Sequence, residues 1–172
     1  MFPIAAPEIM DRLVVLVSSS KTFNIAGGLM GNVIIEDLSL RKKFQQAHKA
    51  IGTMPNLFGM KIAESVYNNG HAWLNDLLLY LDANIKLFNN GIEKIHGLKA
   101  MNLSATYLAW IDFSNTKMSE KEVVHKVHNI AGIAANVGST FGTGGKSFMR
   151  FNLACPKTRV SEAIERLQYA FK

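Results

Sequence analysis

The chain has 172 residues, 48% of them hydrophobic, and a formal net charge of +6 at pH 7. This length and apolar content are enough to bury a hydrophobic core. The positive charge would permit an anionic partner, but the basic residues are scattered, apart from Arg41, Lys42 and Lys43. No aromatic residues alternate with them as in a groove that binds single-stranded nucleic acid. The composition therefore argues against a nucleic-acid partner.

The cysteine content and the N-terminal sequence indicate the compartment. A single cysteine, Cys155, excludes a disulfide within the chain and is typical of a reducing environment. The N-terminal sequence lacks the basic start and long apolar stretch of a signal peptide. Apolar runs such as Leu13–Val17 are far shorter than the ~20 residues of a membrane helix. We expect a cytoplasmic protein with no membrane contact.

The first predicted elements surround a lysine. A β-branched run over 13–17 ends at three serines and Lys21, and a second apolar run follows Gly27 and Gly28 and ends at Val33–Ile35. This pattern predicts two strands joined by a polar turn. An amine beside hydroxyls at a strand end can act as a nucleophile toward carbonyls. Spacing alone favours a different interpretation, a surface lysine in a hairpin loop.

Three helices are predicted next. Ser39 is a candidate N-cap for a helix over Arg41–Ala50, and a second helix is predicted between Pro55 and Gly70. A longer helix is predicted from Ala72 to Ile95. Its apolar residues recur at helical spacing, which indicates a stripe that faces the core: Trp73, Leu77, Tyr80, Leu81, Ile85, Phe88 and Ile92.

The rest of the chain alternates strands and helices. We predict strands over 99–103, 106–113, 133–137 and 147–155. A helix is predicted to begin at the Ser119–Glu122 capping box and to reach Ile130, and a final amphipathic helix begins at about Val160. This alternation indicates an α/β or α+β class. We expect a domain boundary within the long helix, giving regions 1–90 and 91–172.

Two motifs resemble a phosphate-binding loop and a metal site, but each lacks a residue or element that such a site requires. The run G-T-G-G-K-S at 142–147 has Thr140 where a P-loop has its first glycine, and a strand follows it rather than a helix. His125 and His128 could share a helix face, but two histidines without a third ligand are a weak metal signal. We predict neither a phosphate-binding loop nor a metal site.

One charged residue lies in the middle of an apolar strand. In F-M-R-F-N-L-A, Arg150 shares a face of the strand with Phe148 and Asn152, whereas Met149 and Phe151 point to the other face. A buried charge without a partner costs several kcal/mol. The partner is either an acidic residue in an internal salt bridge or the carboxylate of a ligand, which a guanidinium binds in a bidentate manner.

Two segments resemble one enzyme family. They are S-S-K-T-F-N-I-A-G at 19–27 and G-G-K-S-F-M-R-F-N-L-A-C-P at 144–156. Both are similar to segments of fold-type I pyridoxal-phosphate (PLP) enzymes, and the resemblance is strongest to the cystathionine β-lyase-like branch of the class I/II aminotransferases. It implies an α/β fold in which this chain is a C-terminal fragment. Residues 1–90 would hold the last strands of the large-domain sheet and the connecting helices, and 91–172 a small α+β domain.

The same resemblance implies roles for four residues. Lys21 would bind PLP covalently and move the substrate's α-proton, and Ser18 and Ser20 would lie near the cofactor phosphate. Arg150 would bind the α-carboxylate of an amino acid substrate. The implied activity is that of a PLP-dependent carbon–sulfur β-lyase or an aminotransferase.

The sequence also departs from the family. Leu29 stands where many aminotransferases carry a phosphate-binding arginine, although the lyase branch commonly lacks that arginine too. Cofactor-binding elements that the family carries upstream, including the aspartate at the ring nitrogen, have no counterpart before Lys21. We therefore expect a fragment that is incomplete for catalysis without an N-terminal half or a homodimer partner. The alternative is a folded remnant or interaction module without PLP chemistry.

Overall fold

The chain divides into two compact units within its longest helix. The computed structural model describes residues 5–172. The first unit ends at Asp76 and the second runs from Leu77 to Lys172. The division lies closer to the N-terminal end of the helix than the boundary between residues 90 and 91 that the sequence suggested. None of the helices within residues 5–172 combines the length and hydrophobicity that crossing a membrane requires.

The first unit is built on a β-hairpin and three helices. Strands β1 (Val14–Val17) and β2 (Asn32–Ile35) pair in antiparallel fashion, with Val14 opposite Ile35 and Val17 opposite Asn32. This confirms the predicted pair of strands. Between them lie a four-residue helix, α1 (Ser19–Thr22), and a 3-10 turn, in a segment predicted only as a polar turn. The other helices are α2 (Leu38–Ile51), α3 (Leu57–Asn69) and the start of α4 (His71–Ile92).

The N-cap of α2 differs from the prediction. The carboxylate of Asp37 accepts a hydrogen bond from the backbone N–H of Leu40 at 2.7 Å, so Asp37 caps the helix and Ser39 lies inside it. Both residue types cap helices well, so residue type alone did not show that Asp37, two positions earlier, is the N-cap. The helix ends at Gly52, which adopts the left-handed conformation at φ 71°.

The second unit is a four-stranded antiparallel sheet with helices. Its strands are β3 (Lys99–Ala100), β4 (Leu108–Asp112), β5 (Asn136–Val137) and β6 (Phe148–Asn152), and the spatial order is β3-β4-β6-β5. The helices are α5 (Glu120–Val124), which continues as a π-helical turn over His125–Ile130, and α6 (Lys157–Ala170). All four strands fall inside the predicted segments, but β3 and β5 are much shorter than predicted.

One face of this sheet forms the core of the second unit. The sheet contributes Ala109, Ile111, Met149 and Phe151, and the helices contribute Phe88, Ile92, Val123, Val127, Val160, Ile164 and Leu167. The alternation along β6 is therefore as predicted, because Met149 and Phe151 are buried whereas Asn152 is exposed.

The predicted core stripe of α4 is only partly correct. Leu81, Phe88 and Ile92 are buried, but Trp73 and Tyr80 are each 47% exposed. An amphipathic pattern identifies the apolar face of a helix and does not show whether the chain itself supplies a surface to cover it.

The N-terminus of α5 is closed by a capping box whose contribution to stability can be measured. The Ser119 hydroxyl and the Glu122 carboxylate form a reciprocal capping box, in which Ser119 Oγ accepts from the backbone N–H of Glu122. The Ser119 hydroxyl and, to a smaller extent, its backbone N–H donate to Oε2 of Glu122, each at 2.7 Å, and so lower the pKa of Glu122. Replacing Ser119 by alanine should lower the free energy of unfolding by about 0.5–2 kcal/mol, the usual cost of a lost N-cap. Urea denaturation measures this change, and Ser104→Ala, at an exposed loop serine, is the matched control.

The same variant should change the pH dependence of stability. Folded Glu122 binds its proton less tightly than the unfolded chain does, so its stabilising contribution is present at neutral pH and is lost as the pH falls through the lowered pKa. Ser119→Ala should raise the Glu122 pKa toward its usual value, as an NMR titration would show. An unchanged Glu122 pKa would contradict the hydrogen bond that the Ser119 hydroxyl donates to the Glu122 carboxylate.

Candidate cofactor and substrate site

Lys21 lies in a helical turn that a serine caps. Strand β1 ends at Val17, and Ser18 adopts an extended backbone conformation and acts as the N-cap of α1. Its Oγ accepts a hydrogen bond from the backbone N–H of Ser20 at 3.2 Å. Serine is a favoured N-cap, which explains why the strand gives way to a helical turn here.

The hydroxyls beside Lys21 form a short chain. Ser18 Oγ donates to the backbone oxygen of Met30 at 2.7 Å, and it lies 2.7 Å from Ser20 Oγ. Because the Ser18 proton points to Met30, the proton between the two hydroxyls belongs to Ser20. The Ser20 hydroxyl can therefore turn toward another acceptor without breaking the contact between Ser18 and Met30.

Ser19, which lies between these two residues, was not predicted as a site residue. Ser19 is only 2% exposed, and its hydroxyl has no hydrogen-bond partner among residues 5–172. No signal in the sequence distinguishes it from its two neighbours, since all three are serines before Lys21.

The segment after Lys21 is attached to the neighbouring helices at two points. The Phe23 ring packs against Trp73, with centroids 5.9 Å apart, and lies edge-on to Tyr67 at 6.4 Å. Further along, Asn56 Nδ2 donates to the backbone oxygen of Gly28 at 3.0 Å. A Cβ atom on Gly59 would collide with that same oxygen, so glycine is required there for the close approach. These contacts hold the turn that carries Lys21.

The amine of Lys21 itself is free. Lys21 is exposed, and within residues 5–172 its side chain forms no ion pair and no hydrogen bond. An uncommitted amine next to hydroxyl donors is a suitable set of groups for binding an aldehyde that carries a phosphate.

Arg150 lies on the face of the second unit's sheet opposite the core. Its Nη2 donates to Oδ1 of Asn136 at 3.1 Å, and its Cζ lies 4.5 Å from the centre of the Phe141 ring. Trp110 is its cross-strand neighbour on β4. Within residues 5–172 no carboxylate forms an ion pair with Arg150, so the internal salt bridge, one of the two alternatives for this charge, is absent from this part of the chain.

The remaining reactive groups of the sequence do not form a site. Among the described residues, no three His, Cys, Asp or Glu side chains lie close enough together to hold a metal ion. Burial raises the pKa of the Cys155 thiol, an effect that nearby Arg159 partly opposes. A raised pKa keeps the thiol protonated and unreactive at neutral pH.

The structure thus brings three of the four predicted site residues together. Ser18, Ser20 and Lys21 occupy one turn of the first unit, and Arg150 belongs to the second unit. Asn136 and Phe141 contact Arg150 and were not predicted as site residues. The only signal that could have found Phe141 was its place in the glycine-rich turn.

A comparison with known proteins identifies the family. The family profile described as aminotransferase class I and II matches residues 3–167. The chain belongs to this family. It is 29% identical to the cystathionine β-lyase PatB of Bacillus subtilis over 172 residues, which are 98% of this chain and 44% of that relative.

Solved structures show the same relationship. Cystalysin of Treponema denticola, which contains a pyridoxal 5'-phosphate cofactor, is 34% identical and superimposes with a TM-score of 0.92 over 99% of this chain and 44% of its own. A PLP-bound aminotransferase-like protein of Clostridium difficile is 33% identical, with a TM-score of 0.91 over 97% of this chain and 44% of its own. These matches confirm the family resemblance and the α/β fold. The chain spans less than half the length of these relatives.

Proposed function

We propose that this chain supplies the C-terminal part of a PLP-dependent carbon–sulfur β-lyase of the cystathionine β-lyase type. The observation that carries the proposal is the free amine of Lys21 in a capped turn that also presents the hydroxyls of Ser18 and Ser20. Relatives that are named cystathionine β-lyases support it, including PatB and a Corynebacterium glutamicum protein that is 27% identical over 158 residues.

The residues of the turn fit the cofactor by their chemistry. Lys21 Nζ would bind the aldehyde carbon of PLP, and the Ser20 hydroxyl would donate to its phosphate. Ser18 would lie beside the phosphate and keep its own proton on the backbone oxygen of Met30. The bound cofactor supplies an electron sink for the substrate's α-carbon. The contacts of Phe23 with Trp73 and of Asn56 with Gly28 would keep the amine in place.

Two residues would act on the substrate. Lys21 Nζ, once released from the cofactor, would take the α-proton and return a proton. Arg150 would bind the α-carboxylate of an amino acid through its guanidinium, whose charge has no acidic partner within residues 5–172. This division of tasks suits β-elimination from a sulfur amino acid. It equally suits amino transfer, and the relatives of this chain include an aminotransferase.

Exposed apolar side chains on the first unit indicate that another protein surface covers it. Leu16, Leu29, Met54 and Phe58 are 72%, 82%, 87% and 79% exposed. Large apolar side chains exposed in such numbers mark a surface that another protein surface covers. The β1–β2 ribbon also leaves strand edges that are unpaired within residues 5–172. We infer that the rest of the family fold, or a second copy of the chain, packs here.

Reductive trapping tests the proposal. The purified chain is mixed with PLP and reduced with borohydride, and the modified peptides are mapped by mass spectrometry. We expect modification concentrated at Lys21 in preference to the other lysines. Modification spread thinly over many lysines, or none, would overturn the proposal and leave a folded interaction module without PLP chemistry.

A further inference from the structure

The glycine-rich turn 138–145 is a closed loop. It begins as a 3-10 helix, Gly138–Phe141, and returns to its starting point at Gly145. A Cβ on Gly138 would collide with the backbone oxygen of Gly145, and a Cβ on Gly145 would collide with that of Gly138. Only glycine at both positions permits so close an approach of the two backbones. No function was predicted for this motif from the sequence.

The loop is fixed to its surroundings on both sides. At its start, Ser139 Oγ donates to Oε1 of Glu120, at the beginning of α5, at 3.0 Å. At its end, the backbone N–H of Phe148 on β6 donates to the oxygen of Gly145 at 3.1 Å. The residue at the far end of the 3-10 turn, Phe141, therefore has a defined position although its side chain is 50% exposed.

Phe141 is held between an aromatic ring and a cation. Its ring meets Trp110 edge-on, at a centroid distance of 5.5 Å and an interplanar angle of 81°. Trp110 in turn stacks on Phe148 at 5.5 Å and 12°. The guanidinium carbon of Arg150 lies 4.5 Å from the centre of the Phe141 ring. A guanidinium over an aromatic face is attracted by the ring quadrupole, so this ring orients the plane of the Arg150 head group.

A second contact fixes the rotation of that plane. Asn136, which is opposite Arg150 in the β5–β6 pairing, accepts a hydrogen bond from Nη2 through its Oδ1 at 3.1 Å. Nε of Arg150 is buried and has no partner within residues 5–172. What remains for a ligand is the end of the guanidinium, where Nη1 and the second N–H of Nη2 form a two-donor edge.

We propose that Phe141 and Asn136 are positioning residues, which orient Arg150 so that its Nη1–Nη2 edge binds a carboxylate. This inference rests on the carboxylate-binding role proposed above for Arg150. It also explains the close approach of Gly138 and Gly145, because the loop that they close places Phe141 over the guanidinium. The binding site is thus assembled from β6, from the short strand β5 and from the loop between them.

NMR of the full chain labelled with ¹⁵N tests the proposal, with Arg150→Lys used to assign the Arg150 side-chain signals. The probe is acetate, and acetamide is its uncharged control. In the parent chain we expect the guanidinium protons to be shifted upfield by the Phe141 ring and to move on addition of acetate. Phe141→Leu should abolish the upfield shift and weaken acetate binding about two- to fivefold.

Further variants separate orientation from folding. Asn136→Ala should weaken acetate binding about two- to tenfold through loss of one hydrogen bond. Phe141→Tyr should keep both the upfield shift and the affinity, because the aromatic face remains. Tyr169→Leu, at a 70% exposed aromatic residue on α6, is the matched control and should change neither.

Two results would refute different claims. If Phe141→Leu and Asn136→Ala leave both the Arg150 signals and the acetate affinity unchanged, the positioning proposal is wrong while Arg150 remains a carboxylate site. If acetate fails to move the Arg150 signals in the parent chain, the carboxylate-binding role of Arg150 is wrong, and the positioning proposal is overturned with it.

Discussion

Replacing Lys21 by arginine is expected to remove the covalent PLP label from the peptide that contains it. Arginine keeps the positive charge, so electrostatic attraction of the cofactor phosphate to the turn is preserved. A guanidinium is always protonated in proteins and does not provide the free amine that an aldehyde requires. Peptide mapping after borohydride reduction measures the label, and the visible absorbance that bound cofactor contributes should disappear with it.

The control for this experiment is Lys42→Arg, at an exposed lysine of α2. It should leave the stoichiometry of labelling at Lys21 unchanged. If Lys21→Arg binds as much cofactor as the parent chain, another lysine is the site, and the role that the family resemblance implies for Lys21 does not hold in this protein.

The sequence predicted features that depend on local periodicity. The alternation of β6 placed Met149 and Phe151 on the core side because neighbouring side chains of a strand point to opposite faces. The capping box at Ser119 was equally visible, since its two partners are three residues apart. The turn with Lys21 was located but not its short helix, because four residues are too few for a helical pattern.

The surroundings of Arg150 could not be predicted in the same way. Asn136 comes opposite Arg150 only through the register of β5 with β6, which depends on contacts that are distant in sequence. Phe141 reaches the guanidinium because the loop closes between Gly138 and Gly145. The sequence showed that the charge needed a partner, and it left open an internal salt bridge or a ligand.

The exposed apolar residues of α4 have a different cause. Trp73 and Tyr80 belong to a regular apolar stripe, and the stripe correctly indicates that this face of α4 is suited to burial. Whether a surface covers it depends on the rest of the fold. A chain that spans 44% of its relatives' length need not contain that surface.

Asn84 is expected to be the most sensitive polar residue of the second unit. It lies in α4, is fully buried, and donates through Nδ2 to the backbone oxygens of Leu153 at 3.0 Å and Cys155 at 2.9 Å. These oxygens follow β6, an inner strand of the sheet, so this one amide fixes the end of that strand to the long helix. Asn84→Ala leaves two carbonyl groups without a donor and should lower the free energy of unfolding by about 2–5 kcal/mol.

Two further variants show whether the amide hydrogens are responsible. Asn90→Ala, at an exposed asparagine of the same helix, should change stability by no more than about 0.5 kcal/mol. Asn84→Asp would place a carboxylate against two carbonyl oxygens, so burial and repulsion should raise its folded pKa above the unfolded value. Its stability should therefore increase as the pH falls, because only the protonated acid can donate to a carbonyl.

Urea denaturation followed by Trp110 fluorescence, in a Trp73→Phe background, measures all three variants. Trp110 lies in β4 of the second unit, so its signal reports the unit that Asn84 stabilises. Equal losses for Asn84→Ala and Asn90→Ala would show that the two hydrogen bonds contribute little. A stability of Asn84→Asp that does not change with pH would contradict the donor role of the amide, because a cavity alone has no proton to gain.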